Sequence, residues 1–277
     1  MTERVQAFSR ILVGVDGSER AEEAARQAGR LAAATGAALD LVYVVDTHHA
    51  HDTDVEAVAE TALDRAGART RQAGIQAAPR ILAGEPAEVL VTEARDHQVD
   101  LLCVGPDAGV LHGALRIGRT ADHVIREAHC SVLIARPAPE DFPSRIACGV
   151  DGSDASVATA TLAALIASAT GAELHLLHVV PVFRGRDAEW TLEPKEPTPP
   201  ELETSVLAAS ALGVTPIRDM AMGRPEHALV AASGRDGTDL LVVGHRGLRG
   251  VTRVLLGSVS RHASEHAPCS VIVARST

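Results

Sequence analysis

Gly244, His245, Arg246 and Gly247 follow an apolar run, Leu240-Leu241-Val242-Val243, and Gly257-Ser258 come after nine intervening residues. Glycines let a backbone approach a ligand closely. Free N–H groups at a helix start bind anions, and a serine there adds a hydroxyl donor. No Asp or Glu occurs between Gly244 and Glu265, whereas Arg246, Arg249, Arg253 and Arg261 do. In a chain of formal charge −10, that local bias reads as a phosphate site.

Two carboxylates stand in matching Asp-Gly-Ser triplets, Asp16-Gly17-Ser18 and Asp151-Gly152-Ser153. That triplet is also a turn and helix-cap signature, and both roles can coexist. His48, His49, His51, Asp52 and Asp54 are of types that ligate zinc, but they crowd one segment without a second ligand group, so a solvated loop is the expectation and no metal site is assigned. His175, His178 and His245 lack a triad context, and His178 reads as a satisfied, buried residue. No nucleophile elbow, HExxH, Walker A sequence or acid–base pair is present. No base for cleaving a phosphoanhydride is evident, so no catalytic residue is assigned and any ATP hydrolysis should be slow.

The elements that must hold these residues come from a repeat. Residues 9–18 match 144–153 at an offset of 135, while Asp100-Leu101-Leu102 matches Asp239-Leu240-Leu241 and Cys130-Ser131-Val132 matches Cys269-Ser270-Val271 at 139. The second copy thus has four extra residues between its second and third strands. Two domains are expected, 1–138 and 139–277, joined near the Pro- and charge-rich 136–144. Strands are predicted at 10–15, 39–45, 79–83, 100–105 and 131–135, and in the second copy at 145–150, 173–180, 216–221, 239–244 and 270–274. Helices are predicted near 19–35, 53–73, 86–98 and 118–128, with Pro86 and Pro225 in first turns. This βα rhythm with continuous Val/Leu/Ile strands predicts an α/β fold. Each half should be a five-stranded parallel sheet of order 3-2-1-4-5, Rossmann-like, with helices on both faces. In that order the ends of strands 1 and 4 flank the switch point where open α/β sheets bind ligands. Pro181–Pro200 is predicted as an extended, mobile loop. Its Trp190 could pack back on its own domain or serve as a lid or partner contact.

Composition narrows the function. Five aromatics among 277 residues mean a core of small side chains. Net acidity argues against a nucleic-acid partner. Cys103, Cys130, Cys148 and Cys269 have no metal or disulfide spacing and read as buried, reduced thiols. Neither a leader nor a membrane span is evident, so no membrane partner and a cytoplasmic location are expected.

These residues resemble the universal stress protein family, in a tandem form that covers essentially the whole chain. The most specific element is Gly-x2-Gly-x9-Gly-Ser at Gly244, Gly247, Gly257 and Ser258. The ATP-binding branch of that family carries this motif. The resemblance implies ATP as ligand, with or without Mg2+. It implies Asp151 and Gly152 near the ribose or metal–phosphate end and Val179 at the base. Gly244, His245, Arg246, Gly247, Gly257, Ser258, Val259 and Ser260 would then line the phosphates. The first copy keeps Asp16, Val44, Gly105 and Gly118 but has Asp107, Ala108 and Arg119 where the second has Arg246, Gly247 and Ser258. Its site reads as weakened, with Arg119 either reaching Asp16 to plug the crevice or binding phosphate itself. In that family the last strands pair across an interface, which implies a pseudo-dimer of the two halves through 132–134 and 271–273 and leaves a homodimer open. The functions to weigh are a nucleotide-responsive stress regulator that acts through unidentified protein partners, a slow ATPase or phosphotransfer enzyme, and a ligand-free scaffold.

Overall fold

Runs of Val, Ile and Leu bounded by turn residues form the strands, and alanine-rich stretches between them form the helices. The structure, a computed structural model, describes residues 6–46, 55–106, 110–111, 114–115, 117–180, 184–185, 188–189, 200–234, 237–245 and 256–275. The chain divides into two compact units, the first running through Phe142 and the second beginning at Pro143.

The first unit runs β1 (Arg10–Val15), α1 (Glu19–Thr35), β2 (Ala38–Val45), α2 (Val55–Gln72), β3 (Ala78–Ala83), α3 (Pro86–Asp96) and β4 (Leu101–Val104). It continues with the short β5 (Val110–Leu111) and β6 (Ala114–Leu115), then α4 (Arg119–Glu127) and β7 (Ser131–Ile134). The second unit runs β8 (Arg145–Val150), α5 (Asp154–Thr170), β9 (Glu173–Val180), β10 (Arg184–Gly185), β11 (Ala188–Glu189) and α6 (Pro200–Ala211). It ends with β12 (Ile217–Met222), α7 (Pro225–Ser233), β13 (Leu240–Gly244), α8 (Ser258–His266) and β14 (Ser270–Ala274).

Within the first unit the strands pair in the order β3-β2-β1-β4-β7, all parallel. Within the second the order is β12-β9-β8-β13-β14, again all parallel. The expected 3-2-1-4-5 sheet is therefore present in both. Pro86 and Pro225 open their helices, where a missing N–H leaves no bond unmade. One expectation needs correction. The stretch from Pro181 to Pro200 is not simply extended, because Arg184 pairs with Glu189 and Gly185 with Ala188 antiparallel, and Pro200 already belongs to α6. Such pairing satisfies backbone groups that a bare loop leaves to water. A matching antiparallel pair, β5 with β6, lies between β4 and α4. Trp190 falls outside the described residues.

Successive residues Ile11, Leu12 and Val13 of β1 are all buried, as are Val242 and Val243 of β13. Burial of both side-chain directions means both sheet faces are covered. In α1 the buried face is built largely from Ala21, Ala24, Ala25, Ala28 and Ala32. All four cysteines are buried and none is in a disulfide. Burial pushes the Cys148 thiol up to about 12, and that of Cys103 well above the usual range, so both stay protonated and inert. Among the described residues no helix is long and apolar enough to cross a membrane.

Two devices fix the sheet centre. At the amino edge, Asp100 Oδ2 accepts the Ser9 and Arg10 backbone N–H groups at 2.6 and 2.9 Å. Asp239 repeats this, taking the Ser144 N–H at 2.7 Å, the Ser144 hydroxyl at 2.8 Å and the Arg145 N–H at 3.2 Å. The repeated Asp-Leu-Leu thus fastens the fourth strand to the first. In the first unit, α1 also holds the chain that follows β7. Arg26 donates to the carbonyls of Ala138 and Pro139 at 2.9 and 3.1 Å, Gln27 to that of Arg136 at 2.6 Å, and Arg30 to that of Glu140.

Asp239 is almost fully buried, so removing its carboxylate strands the backbone donors of Ser144 and Arg145. Asp239→Ala should lower the stability of the second unit by about 2–3 kcal/mol, since hydrogen bonds to charged groups are worth ~1.5–3 kcal/mol each but share one carboxylate here. Urea unfolding of the variant beside the parent checks this, and an unchanged midpoint would remove the fastening role.

Candidate functional site

Asp151 follows the last residue of β8, and its side chain first serves its own turn. Oδ1 accepts the Ser153 N–H at 3.1 Å and the Ser153 hydroxyl at 2.6 Å. Ser153 Oγ in turn accepts the Ser156 N–H at 3.1 Å and caps α5. Gly152 between them sits at φ +80°, in the left-handed region that a side chain disfavours. The first unit repeats the arrangement with Asp16 Oδ1 on the Ser18 N–H at 2.9 Å and Ser18 capping α1. The turn reading of Asp-Gly-Ser is therefore satisfied, with Asp151 partly exposed at the carboxyl edge of the sheet.

Val179, next to the end of β9, is buried with Leu177 and Leu229, and Val259 of α8 packs against that cluster. Two predicted site residues from separate elements thus border one apolar cluster. His178, beside Val179, places Nδ1 3.0 Å from the Val150 carbonyl, a satisfied imidazole at the end of β8. His175 lies farther back, between Glu173 and Asp219, each carboxylate 2.7 Å from a ring nitrogen. The neighbouring imidazole and the Arg145 guanidinium hold the Glu173 carboxyl below its ordinary range.

Gly244 ends β13 and is joined there by α8. The His245 N–H donates to the Ala274 carbonyl at 2.8 Å, extending the pairing with β14 past the strand end. The Gly257 N–H donates to the His245 carbonyl at 3.0 Å, so the start of α8 is tied to the end of β13. Ser260 Oγ, buried, donates to the Gly244 carbonyl at 2.7 Å and approaches that of His245 at 3.2 Å. The Ser260 hydroxyl is thereby committed to backbone carbonyls, and His245 is buried. Both hold the base of the glycine loop in position. The resemblance implies Ser260 beside the phosphates; its hydroxyl is instead turned onto the strand end, a role that the sequence does not suggest.

The first turn of α8 is open. Gly257 is its N-cap and supplies no side-chain acceptor. The first intrahelical bond runs from the Arg261 N–H to the Gly257 carbonyl at 3.0 Å. The N–H groups of Ser258, Val259 and Ser260 therefore precede the helical ladder, and Ser258 is exposed beside them. Such a turn carries a partial positive charge. Arg261 belongs elsewhere, since its guanidinium pairs with Glu265 one turn on at 3.0 Å. Arg246, Gly247, Arg249 and Arg253 lie outside the described residues, as do Asp107, Ala108 and the His48–Asp54 group.

The first unit has the same backbone and different chemistry. Gly118 caps α4 without a side chain, and the Asp122 N–H meets the Gly118 carbonyl at 2.9 Å. Pro106 stands where His245 does and has no N–H to offer. Ala121 stands where Ser260 does, without a hydroxyl. Val44 of β2 occupies the place of Val179 and pairs with Leu82 of β3. Arg119, at the position of Ser258, is exposed, and among the described residues no ion pair joins it to Asp16. The plug expected there does not form, because Asp16 is turned onto its own Asp-Gly-Ser turn. Gly105 has a packing reason of its own. A Cβ there would sit 2.9 Å from Arg20 Cβ and 3.0 Å from the Arg20 carbonyl carbon of α1. Among the described residues, no three His, Cys, Asp or Glu side chains are arranged to hold a metal ion.

Gly105→Ala should destabilise the first unit by about 1–3 kcal/mol, the usual range for forcing extra volume into a packed site. The loss should be the same with and without added nucleotide. Thermal unfolding under both conditions measures it, and a neutral substitution would return this glycine to a ligand role.

Comparison with known proteins follows the same two-part division. A family model described as the universal stress protein family matches residues 7–136 and again 143–275. A universal stress protein of Mycobacterium tuberculosis is 29% identical over 297 residues, an alignment covering 96% of each chain. One of Methanocaldococcus jannaschii is 34% identical over 143 residues, or 49% of this chain and 84% of its own. The crystal structure of a universal stress protein from Archaeoglobus fulgidus superposes with a TM-score of 0.76 at 19% identity, over 96% of this chain and 98% of that one. That likeness is one of fold.

Proposed function

The chain belongs to the universal stress protein family, and on that premise we propose that its second unit binds ATP, with or without Mg2+, as a cytoplasmic regulator whose bound state is read by protein partners. The observation that carries this reading is the open first turn of α8, tied by the Gly257 N–H to the end of β13. The partly exposed Asp151 follows β8, the strand that pairs with β13. Backbone donors at a helix start suit phosphate oxygens. A carboxylate at the switch point suits ribose hydroxyls or a phosphate-bound cation. The Val179 backbone, at the end of the neighbouring strand β9, is within the same edge and suits the base. The Gly-x2-Gly-x9-Gly-Ser spacing supports the same assignment. Regulation is favoured over turnover because, among the described residues, none around the open turn is set to activate water, and hydrolysis by positioning alone is slow.

The first unit is proposed to bind nucleotide weakly or not at all. It has Arg119 in place of Ser258, and it lacks the hydroxyl and N–H that tie the loop base in the second unit.

Calorimetric titration with ATP of the parent chain, Asp151→Ala and Asp16→Ala tests the reading. Both substitutions remove the bond to the serine N–H of the turn and Asp151→Ala also removes that to the Ser153 hydroxyl, so thermal unfolding of each variant is measured beside its binding. Asp151→Ala should weaken binding about tenfold, corresponding to ~1.4 kcal/mol, and Asp16→Ala should leave it within about twofold. Equal losses would mean that the first unit is also occupied. No binding by the parent would overturn the assignment.

A further inference from the structure

We propose that the second unit contains a proton-operated joint, in which His227, His262 and His266 hold α7 against α8 while uncharged and release α8 when protonated. The His262 ring lies between the other two. Its centroid is 4.6 Å from that of His227, nearly edge-on at 76°, and 4.2 Å from that of His266, stacked at 21°. His227 comes from α7 and the other two from successive turns of α8, so the cluster spans the contact between these helices. His266 Nδ1 lies 3.1 Å from the His262 carbonyl, which fixes the ring against its own helix and sets it over His262.

Neutral imidazoles pack well at these separations, whereas imidazolium rings about 4 Å apart repel, with His262 half-buried between the more exposed His227 and His266. Two carboxylates face the cluster and offset part of this, Glu265 Oε2 lying 3.9 Å from His266 Nδ1 and Glu226 beside His227, but each is also held by an arginine. Glu226 of α7 is paired with Arg224 at 2.8 Å, and Glu265 of α8 with Arg261 at 3.0 Å. Strands β13 and β14, against which α8 also packs, have no titratable side chain. Burial, then His266 and His227, keep His262 below the usual histidine range, outweighing Glu226 and Glu265. The sign follows from linkage. The unfolded chain binds the proton more readily, so the joint is fully stabilising above the ordinary histidine pKa of about 6.5 and loses its contribution as pH falls through the lower folded value.

The first unit supplies an internal control. At the offset of 139, the places of His227, His262 and His266 are taken by Glu88, His123 and Glu127. A proton gained by His123 therefore has two acids at the corresponding positions, where His262 has two imidazoles. Acid should spare α4 and loosen α8. Because α8 carries the open turn, its release would also dismantle the site; that consequence alone rests on the nucleotide reading.

Hydrogen exchange on the full chain, without nucleotide, decides the matter at pH 7.5 and 5.5. Protection factors of α8 amides should fall relative to those of α4 by about tenfold. The fall should vanish in His262→Gln, and also in His227→Glu/His266→Glu, which installs the first unit's pattern. A constant α8-to-α4 ratio in the parent overturns the proposal. So does a fall of equal size in both variants. Absence of ATP binding would defeat the nucleotide reading and leave this result standing.

Discussion

The bond between one buried carboxylate and the start of the first strand governs what meets at the far edge of each sheet. Asp239 holds the Ser144 and Arg145 amides at the amino edge, and three rungs follow, from Leu240 opposite Ile146 to Val242 opposite Cys148. With that register set, the ends of β8 and β13 reach the carboxyl edge together. A slip of one residue would turn every side chain of β13 to the opposite face. It would also carry Gly244 and the loop base away from Asp151. The site is thus determined from the edge opposite to the one it occupies.

The two units separate what the fold requires from what a ligand site requires. Glycine N-caps, Asp-Gly-Ser turns and fastening aspartates occur in both, and each has a structural reason. What differs is the tie between strand end and helix start. In the second unit the His245 backbone and the Ser260 hydroxyl make bonds that Pro106 and Ala121 cannot make. A helix start held to a strand end keeps its N–H donors in place without reorganisation when an anion arrives.

Much of this was legible in the residues. Strand and helix positions followed from apolar runs, alanine periodicity and two prolines, and the repeat supplied each signal twice. Asp16 and Asp151 were readable as turn formers because Asp, Gly and Ser each have a local preference that needs no tertiary information. The clamp by Ser260 was not legible, since it joins positions sixteen apart through a hydroxyl that propensity does not notice. Nor was the packing role of Gly105, which depends on where Arg20 of another element lies. The hairpin pairing of Arg184 with Glu189 was hidden by prolines nearby that suggested an unpaired segment. The ion pair between Arg261 and Glu265 took away a cation that charge counting had assigned to phosphate.

The strand order has a consequence for how the chain is made. Ser9 and Asp100 are bonded across a separation of 91 residues, so the centre of the first sheet cannot close until most of that unit has left the ribosome. Until then β1 pairs with β2 and offers a bare edge to anything similar in shape. A rival appears with β8, whose Arg-Ile-x-x-Gly-Val repeats that of β1 and so competes with it for the edge of β4. At synthesis rates of about 5–20 residues per second, the gap between the arrival of β4 and that of β8 is a few seconds. Correct assembly of this chain depends on the first sheet closing within that interval, a kinetic demand that a single-copy chain of the same fold does not face.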